Sequence, residues 1–471
     1  MNIAMVTSES NPLIKTGGLA DVVYALSKEL AKKNDVCIVM PFYIQIQQKL
    51  TKRPLKVKEI EVNMSWRKQK CIVYKTVIEG IKYFLIKNDQ YFYREQVYGY
   101  LDDMERFACF TLAAKLFLEK YKQLDIVHIH DWHPGMLPVL VRDDQNSSLN
   151  KAKFVLTIHN PAFKGYMDKY FLGNFYNLSD KYYDDGSVRF NNQVSTLKAS
   201  IVFVNKITTV SPTHRHELIY DDISDGLNGV LKYRQNDFIG ILNGIDEKEF
   251  NPQNDTKIYF PYKDEFNTLK KKNKMALLKE LNLELDDRPL FGMVSRLTWQ
   301  KGLDILIPNI RELLVQGDKV IILGSGEEKY ENELRGLQYE FPKQLAIYIG
   351  YNDELAHKIY AASDIFLMPS LFEPCGLSQM IALKYATLPL VRLIGGLKDS
   401  VIPYMNENLD EANGFGFYDY SFNALKETID WSKKVYYDKK KLQIMRVNAI
   451  KAKNDWKKSS EEYLKLYKSI I

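Results

Sequence analysis

Cysteine is scarce in this chain. Its 471 residues hold four, Cys37, Cys71, Cys109 and Cys375, and no two of them form a C-x-x-C pair. That excludes a zinc ribbon and a thioredoxin-type motif, and four thiols in a chain this long fit a reducing compartment better than a disulfide scaffold. Long apolar runs are missing as well: none approaches the ~20 residues needed to cross a bilayer. The opening MNIAMVTSES has neither the basic start nor the apolar core of a secretory leader. A cytoplasmic protein with no membrane partner is therefore expected. Two nucleotide fingerprints are also absent. Neither G-x-x-x-x-G-K-[ST] nor G-x-G-x-x-G occurs anywhere, so ATPase and NAD-dependent readings lose their best support.

Charge of one sign is only slightly in excess: 65 Lys and Arg against 59 Asp and Glu leave +6. With 46% hydrophobic and 26% charged residues, the composition is that of an ordinary packed chain, neither disordered nor collagen-like. Aromatic residues are plentiful, with 31 Tyr, 23 Phe and 5 Trp. Many rings and a mild positive balance fit nucleic acid, or a site for stacked sugars and nucleotides. Composition does not choose between them.

Short β-rich runs alternate with helical patterns along most of the chain. Asn2–Val6, Asp35–Met40, Ile126–Ile129, Phe154–Ile158 and Ile207–Val210 read as strands, with a helix from Gly18 to about Lys33. Val57–Lys87 instead alternates in the manner of antiparallel strands. The rhythm restarts with Leu290–Ser295, Lys319–Leu323, Leu345–Ile349, Ile365–Pro369 and Leu388–Leu393, separated by helices such as Gly302–Val315 and Gly376–Tyr385. Strands alternating with helices imply an α/β protein with parallel, doubly wound sheets. Two such runs predict two Rossmann-like domains, residues 1–240 and 241–455, facing each other across a cleft. The turn-rich NGID (Asn243–Asp246) is the expected hinge, and an amphipathic helix over 456–471 completes the first domain.

Several segments carry chemistry. In KTGGLADV, Lys15 precedes Gly17 and Gly18, so its ammonium can reach an anion held at the N-terminus of the following helix. GGLADVV (Gly17–Val23) is echoed by GGLKDSV (Gly395–Val401). A diglycine between strand and helix lets backbone N–H groups approach a phosphate or sugar, although one copy alone is equally a tight turn. HIHDWHPG (His128–Gly135) gathers three of the seven histidines around Asp131 at a strand end. Its H-x-H-x-x-H spacing allows a metal, but Asp131 has no obvious carboxylate partner, and polar groups collect at parallel-strand ends in any case. TIHN repeats the placement one strand later with His159. VSRLTWQKG sets Arg296 and Lys301 five residues apart on a strand-to-helix loop, a pairing suited to a diphosphate. GSGEE adds Gly324 and Gly326 after a strand, a weak signal in isolation. In SLFEPCGLSQ, Glu373 sits at a turn before a helix, where a carboxylate suits sugar hydroxyls or simply the helix dipole.

Taken in order, K-x-GGL-x-DV, H-x-HDWH, TIHN, TTVSPT (Thr208–Thr213), LNGID, R-L-x-x-QKG, FEPCGLSQ and GGLKDSV resemble the bacterial glycogen synthase and plant starch synthase family of retaining glycosyltransferases, over roughly residues 1–460. The resemblance implies a GT-B architecture, and transfer of glucose from ADP-glucose (or UDP-glucose) to the non-reducing end of an α-1,4-glucan. It implies no cofactor and no metal, since protein cations replace magnesium. It places Lys15 near the distal phosphate and His159 beside the reacting sugar. Arg296 and Lys301 would neutralise the departing diphosphate, and Glu373 would grip the glucose hydroxyls. Gly17, Gly18, Asp21, Asp131, Asn243, Gly324, Gly326, Cys375, Gly376, Leu377 and Ser378 fall at donor- or acceptor-binding positions. Many related transferases carry a second Glu eight residues after the first; here that position is Ile381. A nucleotide-sugar epimerase shares the two-domain plan and is the competing enzyme class. A non-catalytic glucan- or nucleic-acid-binding module would not need Lys15, Arg296, Lys301 and Glu373 together. With the cations assigned to one diphosphate, the +6 balance is weak evidence for nucleic acid. Tyr91, Tyr93, Tyr98 and Tyr100 become candidates for stacking on glucan, although most rings are expected in the core.

Overall fold

The computed structural model describes residues 1–50, 52–221 and 223–471. Its two units are Met1–Ile241 with Trp456–Ile471, and Leu242–Asp455. Each is built on its own sheet.

The first unit contributes strands β1 (Asn2–Val6), β2 (Asp35–Pro41), β3 (Leu55–Met64), β4 (Arg67–Ile78), β5 (Ile81–Lys87), β6 (Ile126–His130), β7 (Lys153–Ile158), β8 (Tyr166–Met167), β9 (Arg189–Phe190), β10 (Gln193–Ser195), β11 (Lys206–Thr209) and β12 (Phe238–Gly240). Nine of them form one sheet in the order β12-β11-β7-β6-β1-β2-β5-β4-β3. From β12 to β5 the neighbours are parallel, and their apolar runs are buried, as expected of strands covered by helices on both faces. The antiparallel ladder β3-β4-β5 shows the other pattern: Ile60, Val62 and Met64 point inward while Glu59, Glu61 and Asn63 face water.

The helix Gly18–Ala31 buries Leu19, Val22, Val23, Leu26 and Leu30, one stripe at helical spacing. Against it packs the last helix, Trp456–Lys468, through a stripe that includes Trp456, Tyr463 and Tyr467. Burying each such side chain contributes about 1.5–3 kcal/mol. A buried polar ladder fixes this return of the chain: Tyr467 OH meets His128 Nδ1 at 2.7 Å, His128 Nε2 meets Thr157 Oγ1 at 2.6 Å, and Thr157 meets Thr208 Oγ1 at 2.6 Å.

The second unit has six parallel strands, β13 (Leu290–Val294), β14 (Lys319–Gly324), β15 (Leu345–Ile349), β16 (Ile365–Met368), β17 (Leu388–Arg392) and β18 (Phe415–Phe417), in the order β15-β14-β13-β16-β17-β18. At the amino edge of this sheet, buried Asp364 accepts from Lys274 (2.8 Å), Arg446 (2.6 Å) and the Leu290 amide (2.9 Å). The two cations outweigh burial and hold its carboxyl below the usual range.

Strand order decides where the sites lie. In the first unit the chain leaves β1 toward β2 and later returns to β6 on its other side, so the topological switch point falls between β1 and β6. In the second it falls between β13 and β16. Loops at the carboxyl ends of such strand pairs are where open α/β sheets bind ligands. Several helices had no counterpart in the sequence reading, and two of them show why. Asp103–Leu118 is buried on nearly every face and therefore lacks a stripe, and Phe266–Glu280 is dominated by lysine. The small sheet β8-β10-β9 was missed because its strands are only two or three residues long.

Candidate active site

Loop 7–17 follows β1 and carries Lys15 and Gly17, and Gly18 opens the next helix. Glu9, 3% exposed, folds the loop back on itself: its carboxylate accepts from both the amide and the hydroxyl of Thr16. Lys15 donates to Asp21 at 2.7 Å with half of its side chain in solvent, and Asn11 Nδ2 occupies the other Asp21 oxygen at 2.7 Å. The ammonium is thus aimed without being buried. Gly17 is the N-cap of the helix Gly18–Ala31, and a Cβ added to either glycine would meet no protein atom within 4 Å. The Gly17 amide is taken by the Glu9 carboxylate, and Gly18 begins the run of helix N-terminal amides, the groups that bind anions.

Asp131 follows β6 at the switch point. It is 7% exposed, with φ +55° in the left-handed region, and its Oδ1 accepts from the amides of His159 (2.7 Å) and Asn160 (3.4 Å). No cation offsets its burial, which pushes its carboxyl up to about 7. His159 Nε2 lies 3.1 Å from His130 Nδ1, and His130 Nε2 is buried without a partner. A buried unpaired lone pair is tolerated better than a buried unpaired N–H. His130 therefore donates from Nδ1, which leaves His159 with a proton on Nδ1 to offer a ligand. Burial holds His159 neutral, its pKa pushed down to about 3.

The H-x-H-x-x-H spacing stacks His128 on His130 at 4.3 Å between ring centroids, but the three imidazoles turn to different partners. His128 turns to Tyr467, His130 to His159, and His133 stacks on Trp132 at 4.2 Å. Among the described residues, Glu249, Asp353 and His357 form the histidine and carboxylate group compact enough for a metal, and it contains no motif residue. A protein cation already stands there, because Lys257 is paired with Asp353 and lies 3.4 Å from His357 Nε2.

In the second unit, loops after β13 and β16 zip together. Leu371 N donates to Gln300 O (2.9 Å), Gln300 Nε2 to Phe372 O (3.2 Å), and Lys301 Nζ to Glu373. Lys301 and Glu373 are nearly buried, and Ser370 Oγ adds a 3.3 Å bond to the same carboxylate oxygen. Arg392 ties down the loop from outside by donating to Leu371 O at 2.8 Å. Arg296 is exposed and has no ion-pair partner among the described residues. A free guanidinium on the loop that also supplies the ammonium of a preassembled ammonium–carboxylate pair is suited to taking up an anion with hydroxyls next to it.

Asn243 hydrogen-bonds the Cys375 thiol, whose pKa burial pushes up to about 12, and its own Oδ1 is buried without a partner. Gln379 fastens the turn at Cys375–Gly376 by donating to both carbonyls at 3.0 Å and to Ser400 Oγ at 2.9 Å. Leu377 caps the short helix Ser378–Lys384, and Ser378 Oγ reaches Val294 O at 3.5 Å. Ile381, which stands eight residues after Glu373, is buried in the same helix.

Three expectations need correction. Gly395 and Gly396 were read as a second approach point for a ligand, but a Cβ there would meet Glu373 O at 2.0 Å and Cys375 O at 2.2 Å. Gly324 and Gly326 likewise face protein, the carbonyls of Ser295 and Leu297 at 1.8 and 2.2 Å. Tyr91 is core, 1% exposed with its hydroxyl on Glu105, whereas Tyr93 is exposed. Glu9, Asn11, Gln379 and Arg392 were not singled out from the sequence. Their partners are reached only by folding, although Gln379 closes the FEPCGLSQ motif that was read.

A family model described as the starch synthase catalytic domain matches residues 2–233, and one described as glycosyl transferases group 1 matches residues 277–452. A glycogen synthase of Clostridium botulinum (strain Alaska E43 / Type E3) is 41% identical over 480 aligned positions, covering 100% of this chain and 99% of that protein. Among solved structures, the catalytic domain of starch synthase IV from Arabidopsis thaliana, bound to ADP and acarbose, aligns with a TM-score of 0.89 at 30% identity over 99% of both chains. Sucrose-phosphate synthase from Thermosynechococcus elongatus aligns at 0.63 with 16% identity, over 100% of this chain and 99% of that one, a likeness of fold alone.

Proposed function

The chain belongs to the glycogen and starch synthase family of glycosyltransferases, and we propose that it acts in the cytoplasm to transfer glucose from ADP-glucose to the non-reducing end of an α-1,4-glucan with retention. Such a transfer breaks the bond between the anomeric carbon and the diphosphate oxygen. It forms a bond from that carbon to the acceptor's O4, and the acceptor proton leaves with the departing diphosphate. The observation that carries this reading is the joined pair of loops in the second unit, where Lys301 and Glu373 are paired and the same loop after β13 carries Arg296 without an ion-pair partner among the described residues.

Each group has a part in this scheme. Arg296 and Lys301 take up charge as it develops on the leaving diphosphate, electrostatic stabilisation of the kind that contributes about 3–4 kcal/mol per donor. Glu373 accepts from glucose hydroxyls and shares Lys301 with the incoming ligand. Lys15 and the helix N-terminus at Gly18 receive the distal phosphate, with Asp21 holding the ammonium in place. His159 offers its Nδ1 proton to the reacting sugar, and Asp131 fixes the His159 backbone. Asn243 and the Cys375–Ser378 turn line the donor. The buried carboxylates of the motif loops are all engaged: Glu373 is held by Lys301 and Ser370, Asp131 by two amides and Glu9 by Thr16. That favours front-face attack through an oxocarbenium-like state over double displacement.

The test measures nucleoside diphosphate release from ADP-glucose and UDP-glucose in parallel, each with and without glycogen. Glycogen-dependent ADP release that outpaces UDP release is expected. Glucan-independent conversion of the nucleotide sugar into an isomer would overturn the reading in favour of an epimerase.

A further inference from the structure

A cavity of about 350 Å³ opens on the first unit beside the end of β2, and no motif residue lines it. Its floor is apolar, made chiefly by Phe42, Leu50 and Tyr74, with the two rings tilted together at 5.5 Å between centroids. Its rim is cationic, carrying Lys52, Arg53 and Lys87, and no carboxylate lines it among the described residues. Lys87 has one acidic neighbour, the largely exposed Asp89 at 3.3 Å. Lys52 and Arg53 have no ion-pair partner among the described residues. The surrounding sequence shows the same bias: Lys49–Lys58 holds five cations and no acid. Like charges crowded around an apolar floor repel one another, and a ligand that brings its own anion relieves that repulsion. Gln47, which also lines the cavity, donates from Nε2 to Phe42 O at 3.3 Å, leaving its amide oxygen to accept a hydrogen bond.

We propose that this cavity binds a nucleoside phosphate, with the phosphate on Lys52, Arg53 and Lys87 and the base against Phe42 and Tyr74. The volume lies in the range of small-molecule sites, and two rings tilted at 59° offer a base one face to stack on and one edge to pack against. Gln47 Oε1 then accepts from an exocyclic amine of the base. The site is separate from the donor residues assigned above, so the proposal stands independently of the transfer reaction.

The experiment is calorimetric titration of the full chain with AMP at low salt, with adenosine, inorganic phosphate and glucose 6-phosphate as single-feature probes. Lys52→Ala/Arg53→Ala removes two exposed side chains and is expected to weaken AMP binding at this site at least tenfold, with far-UV circular dichroism and AMP-free glucosyl transfer unchanged. Tyr74→Leu keeps apolar volume but removes the ring, and is expected to weaken AMP several-fold while leaving the weak phosphate binding alone. Arg296→Ala/Lys301→Ala is expected to keep one AMP site. The proposal is overturned if the Lys52/Arg53 variant binds AMP with unchanged affinity and stoichiometry. It is equally overturned if the Arg296/Lys301 variant abolishes all AMP binding, or if glucose 6-phosphate binds as tightly as AMP.

Discussion

Gly17–Val23 and Gly395–Val401 share Gly-Gly-Leu-x-Asp and a closing valine, yet their glycines face different things. At Gly17 and Gly18 no protein atom stands where a side chain would begin. At Gly395 and Gly396 the carbonyls of Glu373 and Cys375 already occupy that place. Gly396 also donates its amide back to Pro374 O at 3.1 Å. The first pair leaves room for a ligand; the second lets two loops of the same unit touch. A motif therefore reports that backbone must come close, but not what comes close to it. The carboxylates repeat the contrast. Glu373 and Asp364 in the second unit are paired with cations, whereas Asp131 in the first is buried with amides only.

The largest effect should come from forcing a side chain into the packed pair. Gly396→Ala sets a methyl 2.2 Å from Cys375 O and 2.5 Å from its Cα, and backbone cannot yield as a side chain can. A loss of about 3–5 kcal/mol in denaturant unfolding is expected, at the upper end of overpacking effects. Near-normal stability would show that loop 373–375 is free to move and would dissolve the contrast. Next is Arg296→Ala. This guanidinium belongs to the packed loops but is itself unpaired, so its removal should lower kcat by about 100- to 1,000-fold and leave Tm in place. Lys301→Ala should lower both, because it strands Glu373 without its cation. Equal Tm values for the two variants would mean that the Lys301–Glu373 pair has no structural share.

The plan of strands was legible because parallel strands buried on both faces are nearly continuous apolar runs. Asn2–Val6 and Leu345–Ile349 coincide with the sequence reading to the residue. Strand order was not legible. Only the folded topology shows that Lys15 and Asp131 flank one switch point, and Arg296 and Glu373 another. Local chemistry was read by type and spacing, which found Lys301 and Glu373 but not that they hold each other across 72 positions. Glu9 escaped for a similar reason: a lone carboxylate in a loop has no local signature until Thr16 folds onto it.

Asp131 gives the next effect in size, and it depends on pH. Its carboxyl titrates near 7 in the folded chain against an ordinary value of 3.8, so the folded state holds the proton more tightly than the unfolded state. Stability from this group is therefore present at acid pH and is lost as pH rises from about 4 through 7. Asp131→Asn keeps an oxygen for the His159 amide, suits the left-handed backbone and removes the charge. It should raise unfolding stability by about 2–3 kcal/mol at pH 8, with the gain fading below pH 5. A gain that persists unchanged at pH 4 would mean that charge burial is not its source. The matching change Asp364→Asn should destabilise instead, since it leaves Lys274 and Arg446 without their partner.

The smallest effect is the most discriminating. Gly18→Ala adds one methyl at the first residue of the helix Gly18–Ala31, where alanine is the better helix former and nothing in the protein is displaced. Stability should stay level or rise by about 0.5–1 kcal/mol. The methyl nevertheless enters the space before the helix amides, so KM for the nucleotide sugar should rise about tenfold, equivalent to about 1.4 kcal/mol. Its counterpart Gly395→Ala should do the reverse, lowering Tm before it alters KM. If Gly18→Ala leaves KM untouched, the opening at Gly17–Gly18 is solvent at a tight turn, and Lys15 with Asp21 must hold the distal phosphate without the backbone's help.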